Sequence, residues 1–179
     1  MTQTTTTLSC ACGQFHLELT GDPFSASECH CKSCRSAAQR LSSLPPAFSI
    51  AADNGGVPYA LYRKDRVRFP DGTAGLAEFR LSDTAPTRRV LTTCCKTPVF
   101  LEFEGGHWLS LFTGLWPEDQ RPEPRIRTQT GDVPDGVTLD DSLPAGTLTT
   151  AGFYARLLGE WIAMGFKSPR ITIEEKINA

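Results

Sequence analysis

Three cysteines with metal-ligand spacing fall within six residues of the chain. They are Cys29, Cys31 and Cys34, arranged as C-x-C-x-x-C. Thiolates on so short a turn can point at one centre, and tetrahedral Zn²⁺ is the metal that most often accepts such ligands. Three protein ligands leave a fourth position for water or an exogenous thiol, as in a catalytic zinc site. We therefore predict zinc chemistry here; the alternative is three reduced cysteines packed as small hydrophobic side chains.

Four further cysteines form two pairs far apart in the sequence. Cys10 and Cys12 make a C-x-C turn, and Cys94 and Cys95 are adjacent. One scheme completes a second zinc site from these four thiolates. Neighbouring side chains of a regular strand point to opposite faces, so both members of the adjacent pair reach one metal only through irregular backbone. In the alternative they serve different centres, and one closes the three-cysteine site as a fourth ligand. We expect one or two zinc ions.

Length and composition indicate one ordinary globular domain. The chain has 179 residues, of which 40% are hydrophobic and 21% charged, enough to bury a core. A net charge of −2 gives no reason to expect a nucleic acid or an anionic membrane as partner. We expect neither a signal peptide nor a membrane span. The cysteines are grouped, unlike those of a secreted disulfide framework, and this favours a reducing cytoplasm.

Hydrophobic patterning predicts a mainly β chain with one C-terminal helix. The predicted strands cover residues 15–19, 47–50, 59–69, 77–81, 99–103 and 107–112. Apolar residues recur at helical spacing over 153–166, and we expect most of them to pack against the domain. Residues 36–40 read as a short helical turn, and 116–148 as a long, partly irregular excursion. The threonine-rich leader 1–7 is expected to be disordered.

Several charged residues have two interpretations. A group of basic residues could bind the carboxylates of an anionic substrate. Alternatively, these residues form a solvent-exposed strand edge whose charges oppose aggregation. Its members are Arg63, Lys64, Arg66, Arg68, Arg88 and Arg89. Lys32 or Arg35 would balance the negative charge of the thiolates, or else both are plain solvent-facing charges.

The three histidines are predicted to lie outside the metal coordination. His16 falls on the polar side of a strand. His30 lies between two cysteine ligands, where adjacent-residue geometry turns it away from the metal towards a structural role or a supporting hydrogen bond. His107 is expected to be a strand residue and not a general base.

The cysteine motifs, in this order, resemble those of the glutathione-dependent formaldehyde-activating (GFA) enzymes, a family that includes centromere protein V. The family pattern is C-x-C-G, then C-H-C-x-x-C-R, then F-C-x-x-C-G-T-P before an apolar strand. It is matched over about residues 8–112 by Cys10–Gly13, by Cys29–Arg35 and by Cys95–Pro98. The resemblance implies a β-tent of antiparallel sheets with a structural Cys₄ zinc and a catalytic Cys₃ zinc. It also implies addition of glutathione to formaldehyde, which is carbon–sulfur lyase chemistry in reverse.

The third motif departs from the family pattern. When Thr97 and Pro98 are aligned with the family pattern, Cys95 matches its second cysteine and Thr92 occupies the position of its first. Cys94 would then replace that first cysteine as a ligand, through a turn of different shape. Lys96 replaces the family glycine. The chain therefore resembles a divergent branch, and a non-catalytic zinc-stabilised binding module is the competing interpretation. A redox dithiol is disfavoured because no thioredoxin-like βαβ context surrounds the motif.

The resemblance implies three parts and a mechanism. After the leader 1–7, residues 8–115 would form the zinc-binding β-tent, and 116–179 the excursion and the helix, packed on the same domain. Zinc on the three-cysteine motif would lower the pKa of a bound thiol for attack on a small electrophile. The expected partners are a small thiol such as glutathione and that electrophile, with no nucleic acid and no membrane. A homodimer is left open.

Overall fold

A computed structural model describes residues 4–46 and 48–178 of the chain. Two α-helices lie within these residues, α1 (Lys32–Leu41) and α2 (Thr147–Ala163). The strands are β1 (Thr5–Ser9), β2 (His16–Thr20), β3 (Ser25–Cys29), β4 (Val57–Arg63), β5 (Val67–Arg68), β6 (Leu76–Phe79), β7 (Thr87–Thr92), β8 (Pro98–Phe103), β9 (Trp108–Phe112), β10 (Ile126–Thr128) and β11 (Glu175–Lys176). The predicted mainly β fold with a C-terminal helix is confirmed.

The strands form two sheets. The smaller has the order β1-β2-β5, and the larger has the order β10-β3-β4-β9-β8-β7-β6-β11. Pairing is antiparallel except at the two edges of the larger sheet, where β10 joins β3 and β11 joins β6 in parallel. The smaller sheet is therefore purely antiparallel, as expected, whereas the larger sheet is mixed at its edges, because these two short strands arrive through long connections.

The smaller sheet covers one face of the larger sheet. Leu17 and Leu19 alternate along β2 and are fully buried, with Phe15 just before the strand. They belong to one hydrophobic cluster with Leu109 and Leu111 of β9. Because alternate side chains of a strand point to one face, the period-two pattern in the sequence correctly located this interface.

Helix α1 packs on the opposite face of the larger sheet. Its buried residues are spaced three or four apart, which is the spacing of one helix face. They are Cys34, Ala37, Ala38 and Leu41. They contact apolar residues of several strands, among them Leu91 of β7. The predicted helical turn at 36–40 was too short, because the helix begins inside the cysteine motif itself.

Two other sequence expectations need correction. Residues 5–7 are not a disordered leader: they lie in β1, which pairs with β2 and buries Leu8 against Leu17, while 1–3 lie outside the described residues. The strand expected at 47–50 does not form over 48–50, where Ile50 packs as part of a loop; Ala47 is outside the described residues.

The strand expected at 59–69 is interrupted. Its residues divide between β4 and β5, with a 3₁₀ turn between them at Lys64–Arg66. Lys64 is buried there and pairs with Glu102 at 2.5 Å. The charged residues within this predicted strand therefore lie in a turn, and one of them forms a buried ion pair.

Only part of α2 packs on the domain. Leu157 is buried and Trp161 stacks on His107, with ring centroids 6.0 Å apart. Leu158, Ile162 and Phe166 remain more than half exposed, so the expected packing of this helix holds for one face only, and the homodimer stays a prediction. No helix in the described part of the chain is long and apolar enough to span a membrane.

Candidate metal centres

The first cysteine cluster joins two distant turns. Cys10 and Cys12 follow β1, and Cys94 and Cys95 lie in the turn between β7 and β8. The Cys12 and Cys94 sulfurs are 3.3 Å apart, and Cys10 lies 3.5 Å from Cys12 and 3.7 Å from Cys94. Cys94 and Cys95 are 3.8 Å apart, and all four sulfurs lie within 4.8 Å of one another.

Irregular backbone lets the adjacent cysteines face the same point. The Lys96 amide donates to the Thr92 carbonyl at 3.0 Å, and Thr92 donates to the Thr97 carbonyl at 3.0 Å. Lys96 has a φ of 58°, a left-handed conformation that ends the strand geometry. Cys94 and Cys95 therefore lie in one cluster, and the alternative in which they serve different centres does not match this geometry.

Two threonines support this turn. The Thr97 hydroxyl accepts the Ala11 amide at 3.0 Å and lies 3.0 Å from the Cys95 sulfur, while the Thr92 hydroxyl lies 3.4 Å from it. Burial raises the pKa of Cys95, but hydrogen bonds from these hydroxyls and nearby amides outweigh it and lower that pKa to about 5. Thr92, which aligns with a cysteine of the family pattern, therefore contacts the cluster through Cys95.

The second cluster spans a strand end and a helix start. Cys29 ends β3, Cys31 is the N-cap of α1, and Cys34 lies in its first turn. The Cys31 sulfur accepts the Cys34 amide at 3.3 Å, the bond that an N-cap side chain makes. The three sulfurs lie within 4.8 Å of one another; Cys29 and Cys31 are partly exposed, and Cys34 is buried.

Negative charge is favoured at Cys31. Hydrogen bonds from the thiols of Cys29 and Cys34, the Cys34 amide and the charge of Arg89 lower the pKa of Cys31 to about 2, against the effect of burial. Contacts with Cys31 and Cys34 raise the pKa of Cys29. The second cluster therefore favours negative charge on one of its sulfurs, which is what a thiolate-bound metal requires.

Two residues beside this cluster were not identified as site residues from the sequence. The Tyr59 hydroxyl of β4 donates to the Cys34 sulfur at 3.5 Å, and burial raises the pKa of Tyr59 well above its usual value. The buried Arg89 guanidinium donates to the Ser33 hydroxyl at 2.7 Å. Tyr59 was only a strand residue in the sequence pattern, and Arg89 was one member of a basic run.

A buried polar network holds the segment on both sides of Cys29. One carboxylate oxygen of Glu28 lies 2.9 Å from the His30 ring and accepts from Asn54 at 2.9 Å and from Arg127 at 3.0 Å. Burial raises the pKa of Glu28, but these hydrogen bonds lower it overall. The hydrogen-bonding role expected for His30 matches this geometry, since its ring meets Glu28 and not a cysteine.

Most of the predicted basic set pairs with the protein's own carboxylates. These pairs join Arg63 to Asp65, Lys64 to Glu102, Arg68 to Glu18, and Arg88 to Glu78 and Glu102. The Lys32 backbone amide donates to the Asp132 carboxylate, and the Arg35 guanidinium donates to the Asp132 backbone carbonyl. Neither contact neutralises a side-chain charge, so the charge-balancing role of Lys32 or Arg35 stays a prediction. The buried cation near the thiolates is Arg89.

The other two histidines lie away from both clusters. His16 contacts Asp71 at 3.0 Å on the surface, as its place on the polar side of β2 suggested. His107 is buried beside Trp108 and Trp161, and burial lowers its pKa. His107 was expected to be a strand residue, but it lies in the bend just before β9, which begins at Trp108.

Two cavities approach the clusters. One of about 650 Å³ lies between the first cluster and the buried network, and its lining includes Thr97, Glu28 and Phe112. A smaller one of about 250 Å³ lies beside α1 and is lined in part by Arg35. Ile50 lines both cavities and packs against the hydrophobic cluster that contains Cys34, although none of the three sulfurs lines either cavity.

The donor sets suit zinc. Four thiolates at Zn–S distances of about 2.3 Å place their sulfurs about 3.8 Å apart in a tetrahedron. The sulfur contacts of the first cluster run from 3.3 to 3.8 Å, so small adjustments would accommodate the ion. The second cluster offers three sulfurs of the same kind. Both clusters are geometrically able to bind metal.

Comparison with known proteins gives one family. The family model described as glutathione-dependent formaldehyde-activating enzyme matches residues 5–131. This match crosses the expected boundary after residue 115 and includes β10. A solved crystal structure of a Rhodobacter sphaeroides protein is similar at 14% identity and a TM-score of 0.46, covering 79% of this chain and 100% of that one. No curated protein matches the chain.

Proposed function

The chain belongs to the glutathione-dependent formaldehyde-activating family, and we propose that it is a zinc-dependent carbon–sulfur lyase working at the second cluster. The first cluster holds a structural zinc, and Cys29, Cys31 and Cys34 hold the catalytic one. The observation that carries this assignment is ligand number: within the described residues four cysteines meet at the first cluster and three at the second. A three-ligand site keeps a position for an incoming group.

The reaction joins a thiol such as glutathione to a small aldehyde such as formaldehyde. The thiol proton leaves, a bond forms between sulfur and the carbonyl carbon, and the carbonyl oxygen gains a proton. The reverse reaction breaks the same carbon–sulfur bond. A zinc ion bound at the second cluster supplies the positive centre that lowers the pKa of the incoming thiol.

The protein's own groups position this chemistry. Cys29 and Cys31 are partly exposed and leave one side of the cluster accessible, while the Tyr59 hydroxyl supports the buried Cys34. The cavities beside Ile50 are the volumes nearest to this cluster in which the substrates could be held. The reducing cytoplasm expected from the cysteine pattern belongs to this proposal, since all seven cysteines are free thiols.

Zinc content and adduct formation test the proposal together. We expect two zinc ions per chain in the wild type and one in each of Cys31→Ser and Cys94→Ser. Exchange between free and glutathione-bound formaldehyde, followed by NMR, should be accelerated by the wild type and not by Cys31→Ser. Cys94→Ser controls for loss of the other metal.

Two results would contradict the proposal. One zinc lost from both variants would mean a merged, closed site. Two zincs without any acceleration over the protein-free rate would leave a non-catalytic zinc-stabilised module as the better interpretation.

A further inference from the structure

Arg89 is a buried cation without a carboxylate partner. Its side chain is 1% exposed, and it donates to two neutral hydroxyls, Ser33 at 2.7 Å and Thr87 at 3.2 Å. The other deeply buried cations, Lys64 and Arg127, each form an ion pair with a glutamate. Among the described residues no carboxylate lies within ion-pair distance of Arg89. Burying an unpaired charge is expensive, so a nearby anion is required.

The second cluster provides that anion. Ser33, which accepts the Arg89 hydrogen bond, lies between Cys31 and Cys34 in the first turn of α1. This hydrogen bond connects β7 to the helix that carries two of the three sulfurs. A metal bound by three thiolates has one net negative charge, and a fourth thiolate would give it two. Arg89 therefore faces a group that is anionic whenever metal is bound.

We propose that Arg89 is a positioning residue that acts as the counter-cation of the metal-loaded second cluster. It makes the group of one zinc and three thiolates neutral overall, so an anionic fourth ligand binds at a lower electrostatic cost than it would without Arg89. This inference rests on the proposed zinc site and deepens it, because it specifies which residue lets the fourth position accept a thiolate.

The zinc affinity of the second cluster tests whether the positive charge of Arg89 stabilises the bound metal. Zinc binding would be measured by competition with a chromogenic chelator for the wild type, Arg89→Met and Arg89→Lys. We expect Arg89→Met to weaken the second site about 10- to 100-fold and to leave the first site unchanged, as is typical when a supporting partner of a metal ligand is removed. Arg89→Lys keeps the charge and should recover most of the affinity. Arg68→Met, the same change at a surface arginine, is the matched control.

Ligand preference supplies a second readout. On Co²⁺-loaded protein, visible absorption would follow binding of glutathione and of imidazole, a neutral ligand. Arg89→Met should weaken glutathione binding at least about tenfold and leave imidazole binding nearly unchanged. Equal weakening of both ligands, or a lysine variant as defective as the methionine variant, would overturn the charge role.

Further variants keep the proposal testable if Arg89→Met does not fold. Ser33→Asp places a competing carboxylate beside Arg89 and should weaken zinc and glutathione binding, whereas Ser33→Asn should not. Wild-type affinities in Ser33→Asp would overturn the proposal. If the wild type fails to bind zinc at the second cluster, both proposals fail. If it binds zinc but forms no adduct, only the proposed activity fails, and the affinity results still decide the role of Arg89.

Discussion

Gly56 lies against Glu28 with no room for a side chain between them. A β-carbon on Gly56 would be 2.5 Å from the Glu28 Cγ and 2.8 Å from the His30 Cε1. Both neighbours belong to the buried network on either side of Cys29. The chain just before β4 thus limits where the first ligand of the second cluster can lie.

Replacing Gly56 with alanine should therefore disturb the second cluster. The added methyl group overpacks a buried polar site, so we expect Gly56→Ala to lower the free energy of unfolding by about 1–3 kcal/mol and to weaken zinc binding at the second cluster. Urea unfolding and chelator competition measure the two effects. Gly114→Ala is the control, because a β-carbon there meets nothing within 4 Å. Equal stability of the two variants would argue against this constraint.

Neutralising Glu28 should be costly. Its carboxylate oxygen receives hydrogen bonds from Asn54 and Arg127 and contacts the His30 ring. Glu28→Gln removes one of the two carboxylates that pair with Arg127, the other being Asp140, and it weakens charge-assisted hydrogen bonds in a buried network. We therefore expect a loss of about 1.5–3 kcal/mol in urea unfolding. Glu18→Gln breaks the exposed pair with Arg68 and should cost less than about 1 kcal/mol. Similar losses in both variants would contradict the buried role of Glu28.

The same carboxylate predicts a dependence of stability on pH. The pKa of Glu28 in the folded protein lies below its ordinary value of 4.5. The stabilisation is therefore complete above that ordinary value and is lost as the pH falls from it through the folded-state pKa. In metal-free protein, where acid release of zinc does not interfere, the wild type should lose stability more steeply over this range than Glu28→Gln. Parallel curves would show that Glu28 does not titrate this way.

Removing the Tyr59 hydroxyl should weaken metal binding with little change in packing. Tyr59→Phe deletes the hydrogen bond to the Cys34 sulfur and keeps the ring, which packs 5.2 Å from Phe112 between centroids. We expect the zinc affinity of the second cluster to fall about tenfold by chelator competition. Tyr62→Phe removes a comparable hydroxyl, bonded to the Gly21 carbonyl, and should leave the affinity unchanged. An equal response of the two variants would rule out a specific role for Tyr59.

Glycine should be more stable than lysine at position 96. Its φ of 58° is left-handed backbone, which costs a non-glycine residue about 1–2 kcal/mol, whereas glycine loses about 0.5–1 kcal/mol of chain entropy on folding. We expect Lys96→Gly to raise the free energy of unfolding by up to about 1 kcal/mol. Thermal unfolding of the zinc-loaded protein measures this. Lys96→Ala, which keeps the strain, is the control and should not be stabilised.

The sequence predicted what depends on local pattern and spacing. Period-two alternation located β2, and the cysteine spacing identified both groups of sulfurs. The joining of Cys94 and Cys95 in one cluster was left open, because it depends on the left-handed conformation of Lys96. A lysine in that conformation has no strong sequence signal.

Long-range burial was harder to foresee. Arg89 and Lys64 read as surface charges in a strand, but tertiary packing buries both. Their hydrogen-bond and ion-pair partners, Ser33 for Arg89 and Glu102 for Lys64, lie far from them in the sequence. The sequence gives the sign of each charged side chain, but it does not show whether an opposite charge lies beside that side chain in the folded protein.

The two cysteine clusters differ greatly in how much chain they close. Cys10 and Cys94 are 84 residues apart, whereas the second cluster lies within one strand end and one helical turn. Because the entropy of closing a loop grows with its length, local contacts form earlier in folding than distant ones. The second cluster can therefore gather its sulfurs while most of the chain is still unfolded. The first must wait until the β7–β8 turn reaches the N-terminal strands, so we expect its sulfurs to come together late in folding.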